Sequence, residues 1–261
     1  CMMLPGSELA TPQERKKWNL ETRYRILPRD FTQLKNKKII LETEECVISS
    51  DSLSFDEYVE LRLLAFILWT TNVQVAYDSI KKLFSELKLD IFELFFQILK
   101  TNNTAPPGVQ EVMNSYREAT KNELWDSPEE IMEYFQKESE YEKLLNEEAG
   151  INVIQFHHAM VMSKYFEEWT ENVILVAENL IKSKINFDEI LEVKFQNIAN
   201  YCRGLTFNIL GKDRKNVKAE YEFGYNISKW LKNSKLEHLA PETMLNWEKN
   251  KLKLQVDKDL L

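Results

Sequence analysis

The sequence predicts a mainly α-helical protein with a few short strands, the strands confined to its beginning and to residues near 219–227. Three observations carry this. Only six Gly and seven Pro occur in 261 residues, far too little turn punctuation for an all-β chain of that length. Beyond Ser54 come long apolar runs free of Gly and Pro, several of which open on a helix start signal. The composition, 44% hydrophobic and 11% aromatic, is enough for a sizeable core, which argues against disorder as the default state.

Cys1-Met2-Met3-Leu4-Pro5-Gly6-Ser7-Glu8 reads as a buried strand running into a Pro-Gly turn. Such a strand needs neighbours to satisfy its backbone and cover its faces, so residues 1–50 are expected to be the tail of a larger domain, with 51–261 as a helical C-terminal domain. No basic flank precedes the apolar residues and charge appears by Glu8, which is not the pattern of a targeting signal. A short helix is predicted over 11–18 with Pro12 at its first position. Glu21-Thr22-Arg23-Tyr24-Arg25-Ile26-Leu27 alternates polar and apolar up to Pro28, as a half-buried strand closed by proline does, and a second strand follows over 38–48. The strands around Met2-Met3-Leu4 and Ile39-Ile40-Leu41 are expected to lack neighbours and leave an apolar face open.

Ser54 with Glu57 forms a capping box ahead of an apolar helix over 55–71. A helical stripe continues over 76–100, with a break predicted near 88–90. Residues 101–108, polar with two prolines, read as a linker. Ser127-Pro128-Glu129-Glu130 opens an acidic helix reaching 148, Gly150 punctuates, and one long helix is predicted over 153–183. Asn186 with Glu189 caps a further helix to about residue 210, stopped by Gly211. Residues 219–227 alternate as a strand, 228–231 form a helical turn, and 247–256 suit either a strand or a frayed helix.

The net charge of −8 argues against a nucleic-acid partner. It conceals a division: residues 1–38 hold nine Lys and Arg against four Asp and Glu, while 118–148 hold eleven acids against three Lys. Arg23, Arg25 and Arg29 fall near the strand ends, where they would either meet an anionic ligand or, as surface arginines more commonly do, pair with carboxylates. The longest apolar run, 63–69, is much too short to span a bilayer, so no membrane insertion is expected. Cys1, Cys46 and Cys202, odd in number and far apart, suit a reducing cytoplasm, with Cys46 and Cys202 as buried free thiols.

Self-contained catalytic equipment is missing. His157 and His158 are adjacent, so on a helix their rings diverge by about 100° and cannot share a metal as an i, i+4 pair would. Glu167, Glu168 and Glu171 lie downstream, but without Glu-x-x-His spacing. Among the motifs, no glycine-rich phosphate loop, serine nucleophile elbow or paired-cysteine zinc pattern occurs.

Four stretches taken together carry a resemblance: Met3-Leu4-Pro5-Gly6-Ser7-Glu8-Leu9, Thr22-Arg23-Tyr24-Arg25-Ile26-Leu27-Pro28-Arg29, Glu42-Thr43-Glu44-Glu45-Cys46-Val47 and Ser54-Phe55-Asp56-Glu57-Tyr58-Val59-Glu60-Leu61-Arg62. In order and spacing they resemble the latter part of radical S-adenosylmethionine enzymes, especially those with an N-terminal cobalamin-binding domain. Phe223-Gly224-Tyr225-Asn226-Ile227-Ser228-Lys229-Trp230-Leu231 is similar to a segment of the same proteins. The resemblance implies that residues 1–50 are the remnant of a partial β/α barrel, followed by the family's helical extension. It implies that the parent cleaves S-adenosylmethionine at a 4Fe-4S cluster, with cobalamin and methyl transfer belonging to one branch of the family.

The chain departs from the family in lacking C-x-x-x-C-x-x-C, the loop whose three thiolates hold the cluster. The expectation is therefore a C-terminal fragment, inactive alone, whose partners are the missing N-terminal part and an unknown small-molecule substrate. By resemblance Pro5, Gly6, Ser7 and Glu8 would border the S-adenosylmethionine or substrate pocket, at the ligand-bearing carboxyl end of a barrel strand. The same turn also reads as a tight turn and nothing more. A second reading of the whole is a helical interaction or scaffold domain without redox chemistry.

Overall fold

The computed structural model describes residues 2–206, 218–224, 227–232 and 250–255. Over these the protein is mainly helical, with a small three-stranded antiparallel sheet, as the sequence predicts. In chain order the elements are β1 (Met2–Met3), α1 (Pro12–Lys17), β2 (Glu21–Gln33), β3 (Ile39–Ser49), α2 (Phe55–Asn72), α3 (Asp78–Glu86), α4 (Ile91–Lys100), α5 (Pro107–Asn122), α6 (Pro128–Phe135), α7 (Glu138–Leu145), α8 (Val153–Met160), α9 (Phe166–Lys184), α10 (Glu189–Leu205), β4 (Lys218–Phe223), α11 (Ile227–Lys232) and β5 (Asn250–Gln255). The chain divides into two compact units, Cys1–Ala65 with Asn114–His157 and Phe66–Met113 with His158–Leu261. Residues 1–50 thus belong to one unit with 114–157.

In the first unit the sheet has the order β1-β3-β2, every pair antiparallel. Strands of a β/α barrel run parallel with helices between them, so β2 and β3 form a hairpin and are not consecutive barrel strands. Ile26, Ile39 and Leu41 point to one face and pack with Ile131 and Phe135 of α6 and with Tyr141 and Leu144 of α7. The opening expected around Ile39-Ile40-Leu41 is therefore closed on its core side: Ile39 is 1% and Leu41 6% exposed, while Ile40, on the other face, remains 40% exposed.

Pro28 does not end β2. The register slips between Ile26 and Phe31, and Arg29 takes a positive φ of 70°, so proline sits in a bulge where no ladder N–H is needed. The acidic helix predicted over 128–148 is two helices. Gln136, just past α6, turns its side-chain amide to β3, donating to the Ile39 carbonyl at 2.9 Å and accepting from the Ile39 N–H at 3.1 Å. That exchange satisfies a strand end and breaks the helix there.

The Ser54–Glu57 box forms as predicted. The Glu57 N–H donates to Ser54 Oγ at 3.3 Å, and the Ser54 N–H donates back to Glu57 Oε2 at 2.8 Å. Ser54→Ala should cost about 1 kcal/mol, the usual worth of such a cap, measured as a lower urea midpoint at unchanged m. At the next start Ser127 caps Glu130, but Glu130 returns its bond to the Asp126 N–H.

In the second unit Trp169 of α9 is buried against Phe66, edge to face with ring centroids 5.7 Å apart. The helix predicted over 153–183 is interrupted by a π turn at Val161–Tyr165, between α8 and α9. Asp188, rather than Asn186, caps α10, its carboxylate accepting from the Leu191 N–H at 2.9 Å. β4 and β5 pair antiparallel, so of the ambiguous 247–256 the described residues 250–255 form a strand. α11 is fixed by Trp230, whose indole donates to Glu86 Oε1 at 2.6 Å while Lys194 reaches Oε2 at 2.9 Å. The predicted helix end at 210 and its Gly211 stop lie outside the described residues.

Candidate functional site

The cross-strand register of the hairpin sets Arg25 of β2 opposite Glu44 of β3, the opposite-charge arrangement that stabilises an antiparallel pair. Arg25 Nε donates to Glu44 Oε1. Its Nη1 reaches Glu123 Oε1 at 3.1 Å, and Arg62 of α2 donates through Nη2 to the same oxygen at 2.7 Å. Glu123 follows the last turn of α5, so one carboxylate joins two guanidinium groups carried by a strand and a helix. Tyr58, one turn before Arg62, accepts from Arg62 Nη1 at 3.4 Å.

The four charged side chains are 25% (Arg25), 9% (Glu44), 17% (Arg62) and 15% (Glu123) exposed. At that depth a charge survives only if paired. Burial works against the charge on Arg62, yet Glu123 and the neighbouring Tyr116 and Tyr58 hydroxyls outweigh it and hold the pKa above the ordinary arginine value. Arg25 is raised in the same way, burial and the like charge of Arg62 being outweighed chiefly by Glu123. Burial pushes the Tyr58 phenol and the adjacent Cys46 thiol up as well, so both stay protonated at neutral pH.

These groups line a cleft of about 450 Å³ whose remaining wall is Met2, Leu27, Pro28 and residues 151–154. A second cleft of about 210 Å³, lined by Trp125, Phe135 and Gly150 among others, shares Glu123, Ile151 and Val153 with it. The arrangement is a polar floor of both signs under an apolar rim, which is the usual make-up of a small-ligand site.

Pro5, Gly6, Ser7 and Glu8 do not line either cleft. They form a turn after β1, in which the Ser7 N–H and hydroxyl both donate to the Leu4 carbonyl, at 3.1 and 2.7 Å. Gly6, at φ +79°, occupies the left-handed position that such a turn requires, with nothing within 4 Å of where a Cβ would stand. Arg23 and Arg29 are ion-paired at the surface, to Asp126 at 2.8 Å and Glu147 at 3.0 Å. Only Arg25 of the three reaches the cleft.

The histidines have separate partners. His157 is buried, its Nδ1 2.8 Å from the Val153 carbonyl and its Nε2 3.1 Å from Ser115 Oγ. His158 lies 3.4 Å from both Thr70 Oγ1 and Gln74 Nε2. Burial lowers the pKa of both. Downstream, Glu168 accepts from the Gly108 N–H at 2.8 Å and Glu171 forks with Arg203 at 2.6 and 2.8 Å. Among the described residues no group of three or more His, Cys, Asp or Glu could hold a metal ion.

The described residues do not fit a 4Fe-4S cluster. Cys46 and Cys202 lie in different units, and burial raises both thiols, that of Cys202 to about 12. A cluster needs several adjacent thiolates. Cys1 lies outside the described residues.

Sequence reasoning singled out Arg25 but not Glu44, Arg62, Glu123 or Tyr58. The available signals were an arginine inside the apolar run 55–71 and a Glu at the position that faces Arg25 once the hairpin register is drawn. No protein-family model matches the chain, and no curated protein matches its sequence. Among the described residues no helix is long and apolar enough to cross a membrane.

Proposed function

We propose that this chain is the C-terminal, substrate-side portion of a larger radical S-adenosylmethionine protein. What supports the reading is the four-motif resemblance together with one structural observation. At the Pro5-Gly6 turn no described residue lies within 4 Å of where a Cβ on Gly6 would stand, so another part of a protein or a ligand could approach the backbone closely. In this reading the cluster, S-adenosylmethionine and, in the cobalamin branch, the corrinoid are held by the N-terminal part, and residues 5–8 border their pocket from outside. Two buried free thiols suit the reducing cytoplasm in which such an enzyme works.

The test begins with the coding sequence upstream of Cys1. A C-x-x-x-C-x-x-C loop is expected roughly 150 to 250 residues before it, about one domain away. The longer product, reconstituted with iron, sulfide and reductant, should show cluster absorbance and release 5′-deoxyadenosine. The 261-residue chain treated identically should do neither. An upstream sequence without the cysteine loop, or cluster assembly by the 261-residue chain itself, would overturn the reading.

A further inference from the structure

The charges around the larger cleft sum to zero, two guanidinium groups against two carboxylates, and they are not mixed at random. Glu123 lies between the arginines, and Glu44 lies beside Arg25. Their hydrogen-bonding capacity is not used up among themselves. Among the described residues Arg25 bonds through Nε and Nη1, which leaves its Nη2 outside the network. A network that served only to staple sheet to helices would not need a cleft of about 450 Å³ beside it.

We propose that this cleft binds a small zwitterion, an α-amino acid with an apolar side chain or a molecule of the same charge pattern. Its carboxylate would take the free edge of Arg25, its ammonium would meet Glu44 and Glu123, and its side chain would lie along Leu27, Pro28, Ile151 and Ile154. A simple anion is disfavoured, because it would bring a third negative charge up to two buried carboxylates; a simple cation meets the two arginines in the same way. The volume lies within the range of small-ligand sites, roughly 300–1,000 Å³. The residues that would hold the zwitterion are all carried by this chain, so its occupancy is tested separately from the radical-enzyme reading.

The test is calorimetric titration of the intact 261-residue chain with L-phenylalanine, phenethylamine and 3-phenylpropionate, a series that removes each charge in turn while keeping the ring. L-phenylalanine should bind saturably, and each singly charged analogue should bind at least about tenfold more weakly, the equivalent of about 1.4 kcal/mol. Glu44→Gln should weaken L-phenylalanine by a similar factor and strengthen 3-phenylpropionate, an inversion that misfolding cannot mimic. No saturable binding of L-phenylalanine up to about 10 mM, or an analogue that binds as tightly as the amino acid, would overturn the proposal.

Discussion

Replacing Glu123 by alanine should destabilise the first unit by about 3 kcal/mol, the cost of leaving a buried charge without its partner. The carboxylate is the shared acceptor of Arg25 Nη1 at 3.1 Å and Arg62 Nη2 at 2.7 Å. Without it two like charges face each other with one carboxylate, Glu44, and the Tyr58 and Tyr116 hydroxyls to compensate. Arg62 lies deeper, at 17% exposure against 25% for Arg25, so it suffers more. The loss should therefore be smaller in the double variant Arg62→Met with Glu123→Ala than in Glu123→Ala alone. Urea unfolding followed by tryptophan fluorescence measures both. Additive losses would show that the carboxylate and the guanidinium do not act as a pair.

Gly108→Ala should cost the second unit a comparable amount, about 3 kcal/mol, through overpacking. A Cβ at that position would stand 2.2 Å from Cδ1 and 2.7 Å from Cε1 of the Tyr165 ring, and 2.8 Å from Glu168 Oε1. The ring has little room to yield, because Tyr165 closes the π turn and is only 7% exposed. Moving Glu168 would also remove the carboxylate from the first turn of α5, where it accepts the Gly108 N–H at 2.8 Å and favours the positive end of the helix. Adding Tyr165→Ala should recover part of the loss by vacating the space. A thermal midpoint for Gly108→Ala equal to that of the parent would refute the close approach.

What the sequence made legible were features decided over a few neighbouring residues. The Ser54–Glu57 and Thr11–Pro12 starts, the hairpin strands and the break around Lys88, which takes a positive φ of 56°, are local chemistry. Where prediction and structure part, a distant residue intervenes. Gln136 breaks the acidic helix because β3 offers it an unpaired backbone end, 97 positions away in sequence. The π turn at Val161–Tyr165 leaves no compositional trace. The alternation ending at Pro28 predicts a strand end there, but at a bulge the donor that proline lacks is not required, and β2 runs on.

The candidate site was legible only in Arg25, for the same reason. Its other members come from β3, α2 and the end of α5, and nothing in the spacing of Glu44, Arg62 and Glu123 announces that they converge. The turn at residues 5–8 was legible as a turn, since Pro-Gly dictates one.

The bulge in β2 has a consequence for how the protein behaves at high concentration. β2 is an outer strand of its sheet, the position from which one polypeptide recruits another into a growing cross-β stack. Its first half is occupied by a two-bond bridge between Tyr24 and Trp125, at 2.8 and 2.9 Å. Its second half is made a poor template by Pro28, which offers no donor, and by the left-handed Arg29, with the charge of Asp30 beside them. A foreign strand would find no continuous row of groups along this edge, so the hairpin is guarded against fibril seeding by the same residues that interrupt its own ladder.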